Sequence, residues 1–574
     1  MRLTAALIVA ATLASGCGHL YLERTDERAE ALQKALGGQL ALVRPPFVTP
    51  DAEGTRLWKR TREFYARRQF APAWVERLAP SPQMNALLAA VGNADREGLD
   101  PATYNIGAVI VKRDLAATGF LTAKGFEPRE AGSLDVWLTY LYLKFSSDLA
   151  DGISDLAHAD TTWKIESERF DPLAHLERAL AENRVAESLV ALTPDHPHYR
   201  ALRDALARYR EEAAQGGWPL VPVAARVKPG ERSAFVSAVA ARLAASADYT
   251  GPVPDAHAPA IYGAELQDAV KRFQRRHGLD DDGVIARRVV AEMNVPIDAR
   301  IRQIALNLER WRWLPRKLGD RYILVNIPAY QLDVWDHSQV PLSMRVVVGK
   351  KDSPTPVFEG RMTYVVFSPY WNVPPDIARD ETLPALMMDA RFLERTNMEV
   401  VDEKGTAVDP SSIDLNDPSR YRFRQRPGGA NSLGLVKFMF PNEHNVYLHD
   451  TPADSLFARA SRSFSHGCVR VEQPVALAEY LLRDQPEWSP ERIQEAMHAD
   501  EERTVKLREA IPVYLGYWSA SVTKDGQVQF AADVYGIDAR QEALVADRVG
   551  RLRKAALAAE KAMRQQPGSR AAGL

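Results

Sequence analysis

The spacing of apolar residues changes from helical to strand-like near residue 318, so the chain cannot be one repeated architecture. Before that point Leu134, Trp137, Leu138, Leu141 and Phe145 keep helical spacing, as do Ala201, Leu202, Ala205 and Leu206. Residues 55–220 read as one helical block closed by Gly216-Gly217-Trp218-Pro219, after a linker over 18–54 that contains Pro45-Pro46 and Pro50. A smaller helical module follows over 227–296. There Leu266, Ala269, Val270 and Phe273 line one helix face, Gly278 suits the left-handed residue after a helix, and Asp281-Asp282-Gly283 makes a turn. A connecting helix is expected over 299–313.

Beyond Leu318 short β-branched and aromatic runs take over: 322–327, 332–335, 344–348, 362–367, 435–440 and 446–448. Runs over 513–522 and 528–534 flank Lys524-Asp525-Gly526, which predicts a hairpin. Residues 376–432, rich in Pro, Asp and Arg, read as an irregular, lid-like insertion within a mainly-β domain over 318–540. A helix and tail fill 541–574. The fold class expected is multidomain α+β. A length of 574 residues fits several domains.

A net charge of −2 supplies no field toward nucleic acid or an anionic membrane. Only two cysteines occur, Cys17 and Cys468. Met1-Arg2, the apolar run from Leu3 to Leu13 and the small residues Ala14-Ser15-Gly16 form a secretory signal over residues 1–17. Cysteine directly after small residues resembles a lipoprotein processing site, with Cys17 as the lipidated residue, although Ala14 stands where a leucine is usual. The chain is therefore expected to be exported to the periplasm and anchored through Cys17. Cys468 is then left unpaired where free thiols are rare.

A free cysteine is mostly protonated at neutral pH, so a nucleophilic thiol needs a base or a positive dipole beside it. His449 ends the strand Val446-Tyr447-Leu448, and Cys468 follows within Ser465-His466-Gly467-Cys468-Val469-Arg470. His449, arriving from a neighbouring strand, suits general acid–base work better than His466. The N–H groups of Gly467 and Cys468 suit an oxyanion hole, which needs close backbone approach. Arg470 can hold a carboxylate in its two-pronged fork. Ser465 either orients His466 or holds the turn. A buried cysteine acting as a small hydrophobe is the plain alternative. One cysteine and two histidines lack the paired spacing of a zinc site, so no metal is expected.

His449-Asp450-Thr451 with Ser465-His466-Gly467-Cys468-Val469-Arg470 resembles the signature of the L,D-transpeptidase (YkuD-like) catalytic domain. Val348-Gly349-Lys350, Thr355-Pro356 and Pro369-Tyr370-Trp371-Asn372-Val373-Pro374 agree with it. Ala269-Val270, Phe273-Gln274, His277-Gly278-Leu279 and Asp282-Gly283 resemble a three-helix peptidoglycan-binding domain. Phe64-Tyr65, Pro72-Ala73-Trp74 and Gly98-Leu99-Asp100-Pro101 resemble the helical scaffold of the large YcbB-like subgroup. The resemblance covers roughly residues 55–540.

It implies a cofactor-free acyltransferase. Cys468 would attack a peptidoglycan stem tetrapeptide at its third residue, releasing terminal D-Ala. A second stem's amine would take the acyl group to give a 3→3 cross-link. By position Cys468 is the nucleophile and His449 its base, with Gly467, His466, Ser465 and Arg470 completing the motif. Tyr447 and Trp371 are candidates for lining the substrate groove, or for packing. Stem peptides, glycan strands at the small module, and carbapenem-type β-lactams as covalent inhibitors are the implied partners. With water as acceptor the same site would be an L,D-carboxypeptidase or endopeptidase. A vestigial site would leave a wall-bound scaffold.

Overall fold

The computed structural model describes Glu27 and residues 29–564, apart from 77–78, 122–126, 155–162, 166–169, 223–225, 403, 410–420 and 524. The signal-like segment and Cys17 lie outside the described residues, as does part of the 376–432 insertion. No described helix is long and apolar enough to cross a membrane.

Helix α1 (Ala52–Arg67) packs on the long helix α2 (Pro128–Asp151), which is buried around most of its circumference. The contact is pinned by a charge. Asp135 of α2 is fully buried, and its carboxylate accepts from the backbone N–H groups of Ala73, Trp74 and Val75 and from the Tyr65 hydroxyl. Burial pushes the Asp135 carboxyl above its ordinary range, and the four donors offset part of that desolvation. The Phe64-Tyr65 and Pro72-Ala73-Trp74 motifs are thus two halves of one buried network.

Helix α3 (Pro197–Ala214) runs against the later helix Ile297–Arg312, described below. Between them in sequence lies the small module, with helices α4 (Phe235–Ala245), α5 (Ala264–Arg276) and α6 (Arg287–Met293). Val239, Leu243, Val270, Phe273, Val290 and Met293 form its own core. Buried Arg276 pairs with Asp248 and donates to the Val528 carbonyl, fastening the module to the β domain. Helix α7 (Ile297–Arg312) then leads into the strands.

The strands are β1 (Arg321–Asn326), β2 (Gln331–Asp336), β3 (Gln339–Gly349) and β4 (Phe358–Phe367), then, after the insertion, β9 (Val436–Met439) and β10 (Leu448–His449). β11 (Ser463–Ser465), β12 (Val469–Val471) and β13 (Arg503–Gly516) complete the sheet. Its order is β11-β3-β12-β10-β9-β4-β13-β1-β2, and a further β2–β3 pairing closes it into a barrel with only β11 outside the ring. Alternate residues point inward. Val346, Val348, Leu332, Val334, Leu448, Val469 and Val471 fill the interior.

Two expectations change here. The insertion is not irregular: β5 (Trp371–Asn372), β6 (Met398–Val401), β7 (Ala407–Val408) and β8 (Arg422–Gln425) form a sheet in the order β7-β6-β8-β5, with Val373, Leu393, Val400 and Phe423 as its core. The run from 513 to 522 is not one hairpin arm. Residues 503–516 are the barrel strand β13, and only β14 (Ala520–Val522) pairs with β15 (Val528–Phe530).

The last helix, α8 (Ile537–Arg564), returns to the helical block, where Val545 and Val549 pack on that block's core. Arg548 locks it there. Its guanidinium lies 2.7 Å from Glu53 and 3.0 Å from Asp148, and Asp148, buried in α2, also takes Lys144 at 2.8 Å and the Tyr104 hydroxyl at 2.9 Å. Removing one partner of a buried charge cluster leaves the others uncompensated. Arg548→Ala should therefore destabilise the chain by roughly 3 kcal/mol, at the low end of that class because Glu53 is partly exposed. Urea unfolding followed by tryptophan emission would show the loss, and an unchanged midpoint would contradict it.

Candidate active site

Inward Leu448 and Val469 fix what faces out. Strands β10 and β12 are parallel neighbours with Leu448 opposite Val469 and His449 opposite Arg470. Alternation then puts Tyr447, His449, Cys468 and Arg470 together on the outer face of the barrel. Cys468 comes just before β12, where the Val469 N–H donates to the Tyr447 carbonyl at 3.1 Å.

The turn carrying Cys468 is tied from three directions. Gly467 has φ 116°, a conformation that suits glycine. Ser465 Oγ accepts from the Gly467 N–H at 3.1 Å and donates to the Cys468 carbonyl at 2.5 Å. Of the two roles expected for Ser465, it holds the turn. Thr355 Oγ1 donates to the Gly467 carbonyl at 2.8 Å and accepts from the Gly349 N–H at 2.9 Å. Tyr535 in turn donates to the Gly349 carbonyl at 2.7 Å and accepts from the Thr355 N–H at 3.2 Å.

The Gly467 N–H is committed to Ser465, which leaves the Cys468 N–H as the member of the expected oxyanion pair without a partner among the described residues. Cys468 is half-buried, and its Sγ lies 3.7 Å from the Asn445 carbonyl. Burial pushes the thiol above its ordinary range, partly offset by hydrogen bonding from Tyr447 and by the Arg470 charge. Tyr447 is pushed up by burial and by the thiol. The resting sulfur is a protonated thiol.

His449 is 4% exposed. Burial, followed by the Arg470 charge, pulls it down to about 3, so it rests neutral. Its Nδ1 is 2.6 Å from the Asp450 carbonyl, which can only accept. The proton is therefore on Nδ1, and Nε2 carries the free lone pair. Asp450 is itself held by the Leu435 and Thr451 N–H groups at 2.8 and 2.7 Å. It sits so close to Gly434, at φ 62°, that a Cβ there would run into its carboxylate.

His466 is exposed and does something else. Its Nε2 lies 2.8 Å from Glu381 of the insertion and 3.0 Å from Lys350 Nζ. Trp371 packs on the insertion's own core, whereas Tyr447 stands beside the thiol. Asn445, Tyr535 and Glu381 had no place in the sequence reading. Asn445 owes its position to Asn442, whose side chain bonds Phe440, His444 and Val446. Among the described residues no group of three histidine, cysteine or acidic side chains is placed to hold a metal.

Residues 320–494 match the family model described as the L,D-transpeptidase catalytic domain. The chain carries an L,D-transpeptidase catalytic domain. Two further models match, a scaffold domain over residues 59–206 and a domain described as "Putative peptidoglycan binding domain" over 232–293. A curated relative from Haemophilus influenzae, "Putative L,D-transpeptidase", is 34% identical over 239 residues, covering 41% of this chain. That match spans 48% of the relative, so the chain covers about half the length of the curated relative it resembles. Solved L,D-transpeptidases from Mycobacterium smegmatis and Xylanimonas cellulosilytica align over 34% and 51% of the chain and over 58% and 98% of their own. Their identities are 16% and 15% with TM-scores of 0.17 and 0.18, so the assignment of the transpeptidase domain stands on the family model and the curated relative.

Neutral buried histidines also set an acid response. His449 and His277, the latter well below its ordinary value through burial in the small module, stay unprotonated when folded but titrate near 6.5 when unfolded. Their stabilising contribution is complete above pH 6.5 and is lost as pH falls below it. Each should cost about 1 kcal/mol between pH 7 and 5.5. Urea unfolding of the native chain and His277→Phe at both pH values reads this as a smaller pH loss in the variant. Equal losses would contradict it.

Proposed function

We propose that this protein is a peptidoglycan L,D-transpeptidase that forms 3→3 cross-links through a thioester on Cys468. One observation carries the reading: on a shared outer face of two paired strands stand a half-buried thiol and a neutral histidine whose Nε2 is left free by the Nδ1 bond to Asp450.

The steps follow from that geometry. Cys468 Sγ attacks the carbonyl of the third stem residue while its proton passes to His449 Nε2. The Cys468 N–H faces the developing oxyanion. His449 then returns the proton to the amine of the departing D-Ala, which leaves a thioester. The side-chain amine of a second stem attacks this thioester and gives its extra proton to His449, so sulfur departs as the thiol. The acyl group stays activated throughout, and no nucleotide is consumed. Arg470, half-buried beside the thiol, attracts a substrate carboxylate, and Ser465 with Thr355 keeps the turn in place.

Because the resting pair is neutral, the thiol stays protected from oxidation until substrate arrives. The peptidoglycan-related domains suit an exported, periplasmic protein, with Cys17 as lipid anchor. The small module presents the domain to the wall, and the insertion, through Glu381 and His466, closes over the site. Carbapenem-type β-lactams should acylate Cys468.

Muropeptide mass spectrometry on cells expressing the native chain or Cys468→Ala tests the reading. Cross-linked 3→3 dimers should depend on the thiol. Equal dimer levels would sink it, and accumulation of tripeptide without dimers would point to water as the acceptor.

A further inference from the structure

The N–H of Cys468 and the carbonyl of Gly467 belong to one planar peptide unit and point to opposite sides of it. Whatever holds that carbonyl therefore aims the N–H. Gly467, at φ 116°, lets the unit rotate at little cost. Ser465 bonds the Gly467 N–H and the Cys468 carbonyl, which lie in the peptide units on either side, so it leaves this one unheld. The Gly467 carbonyl is taken instead by Thr355 Oγ1 at 2.8 Å, from a segment 112 residues away.

Thr355 can aim that bond only if it is itself fixed. Its hydroxyl accepts from the Gly349 N–H at 2.9 Å, and Tyr535 bridges the same pair a second time. The Tyr535 hydroxyl donates to the Gly349 carbonyl at 2.7 Å and accepts from the Thr355 N–H at 3.2 Å, so one phenol clasps both ends of the loop from Gly349 to Thr355. The loop is folded tightly, and a Cβ at Gly349 would run into the Ser353 carbonyl. Just beyond it, Trp163 of the helical block bridges Val357, and the Lys164 N–H donates to the Val357 carbonyl at 2.8 Å.

Tyr535 is buried and is fixed in turn. Its N–H donates to the Tyr517 hydroxyl at 3.1 Å, which donates to Asp533 at 2.7 Å. It stands between the β14–β15 hairpin and α8, beyond the residues 320–494 that match the catalytic-domain model. The clasp on the catalytic turn is thus completed by a segment outside that match.

We infer that Tyr535 is a positioning residue for acyl transfer: through Gly349 and Thr355 it stops the Gly467–Cys468 peptide unit from flipping, and so keeps the Cys468 N–H aimed at the developing oxyanion. The inference rests on Cys468 as the acyl-transfer nucleophile. A tyrosine that only packed would support the folded site as a whole and would not single out steps that form an oxyanion.

Two reactions of Cys468 separate these roles. With p-nitrophenyl acetate, sulfur bonds the carbonyl carbon through a tetrahedral oxyanion, the thiol proton passes to His449 and nitrophenolate leaves. With iodoacetamide, sulfur bonds the methylene carbon, the proton passes to His449 and iodide leaves, so no oxyanion forms. Both products are followed in the full chain by mass spectrometry of the fragment containing Cys468. Tyr535→Phe keeps the ring and should slow acylation about tenfold while alkylation stays within about twofold. Thr355→Val loses the donor to the Gly467 carbonyl and should slow acylation about 10²-fold, the usual worth of an oxyanion donor. The double variant should lose no more than about threefold beyond Thr355→Val, because both changes act on one peptide unit. Alkylation near the native rate also shows that each variant is folded around the thiol. Unchanged acylation in Tyr535→Phe, an equal loss in both reactions, or no acylation of native Cys468 by the ester would each overturn the inference. The ester carries no stem peptide, so absence of 3→3 dimers in cells would sink the cross-linking reading and leave this comparison decisive.

Discussion

Replacing Cys468 by alanine or serine should abolish acyl transfer, with a loss of about 10⁴-fold or more, while the fold stays intact. The side chain is half-buried on the outer face of the barrel and touches no part of the interior core, so its removal costs little packing. The loss should appear in the acyl-enzyme step. Serine conserves shape and hydrogen bonding but supplies a far weaker nucleophile beside the same His449. Single-turnover release of D-Ala from a stem tetrapeptide measures this directly. Retention of a tenth of the native rate in Cys468→Ala would require another nucleophile.

His449→Gln should cost about 10²–10⁴-fold, the usual worth of a positioned base, and should change the pH profile in a diagnostic way. In the native chain His449 is held down to about 3, and the thiol is held above its ordinary value. Between those limits the reactive form, thiol with neutral histidine, is fully populated. The rate should therefore be flat from about pH 5 to 8, with no acid limb near the ordinary histidine value. In His449→Gln the sulfur must ionise unaided, so log rate should rise with unit slope across the same range. A native profile that falls through pH 6.5 would mean an imidazolium–thiolate pair and would contradict the resting state described above.

How far the sequence foretold the molecule depended on the range of the interaction involved. That His449 ends a strand was legible from the local run Val446-Tyr447-Leu448, whereas the outer face it shares with Cys468 follows from the pairing of Leu448 with Val469, both pointing inward. The helical block, the small module and the mainly-β domain were legible because each keeps one hydrophobic period over many residues. The Thr355–Gly467 bond joins segments 112 residues apart and leaves no periodic trace, although Thr355-Pro356 was visible as a motif. Tyr535, 186 residues from its partner Gly349, left even less.

β13 was read too short because its register shifts between Lys506 and Ile511, which breaks the alternation before Val513. The insertion escaped because its strands are two to four residues long, too short for any period to register. The choice between the two donors for the oxyanion turned on one hydroxyl. Whether Ser465 faced His466 or the Gly467 N–H could be told only from the turn itself. The cluster of Trp311 and Trp518 is the extreme case, since the two rings stack only once the barrel has closed against α7.

The central claim is that Cys468 carries the acyl group. The native chain, mixed with a stem tetrapeptide in the absence of an acceptor amine, quenched in acid and mapped by mass spectrometry, tests it most directly. The account predicts a tripeptidyl adduct, the tetrapeptide minus D-Ala, on the fragment containing Cys468 and labile to hydroxylamine. D-Ala release with no adduct on that fragment, or with the adduct on another residue, would contradict it.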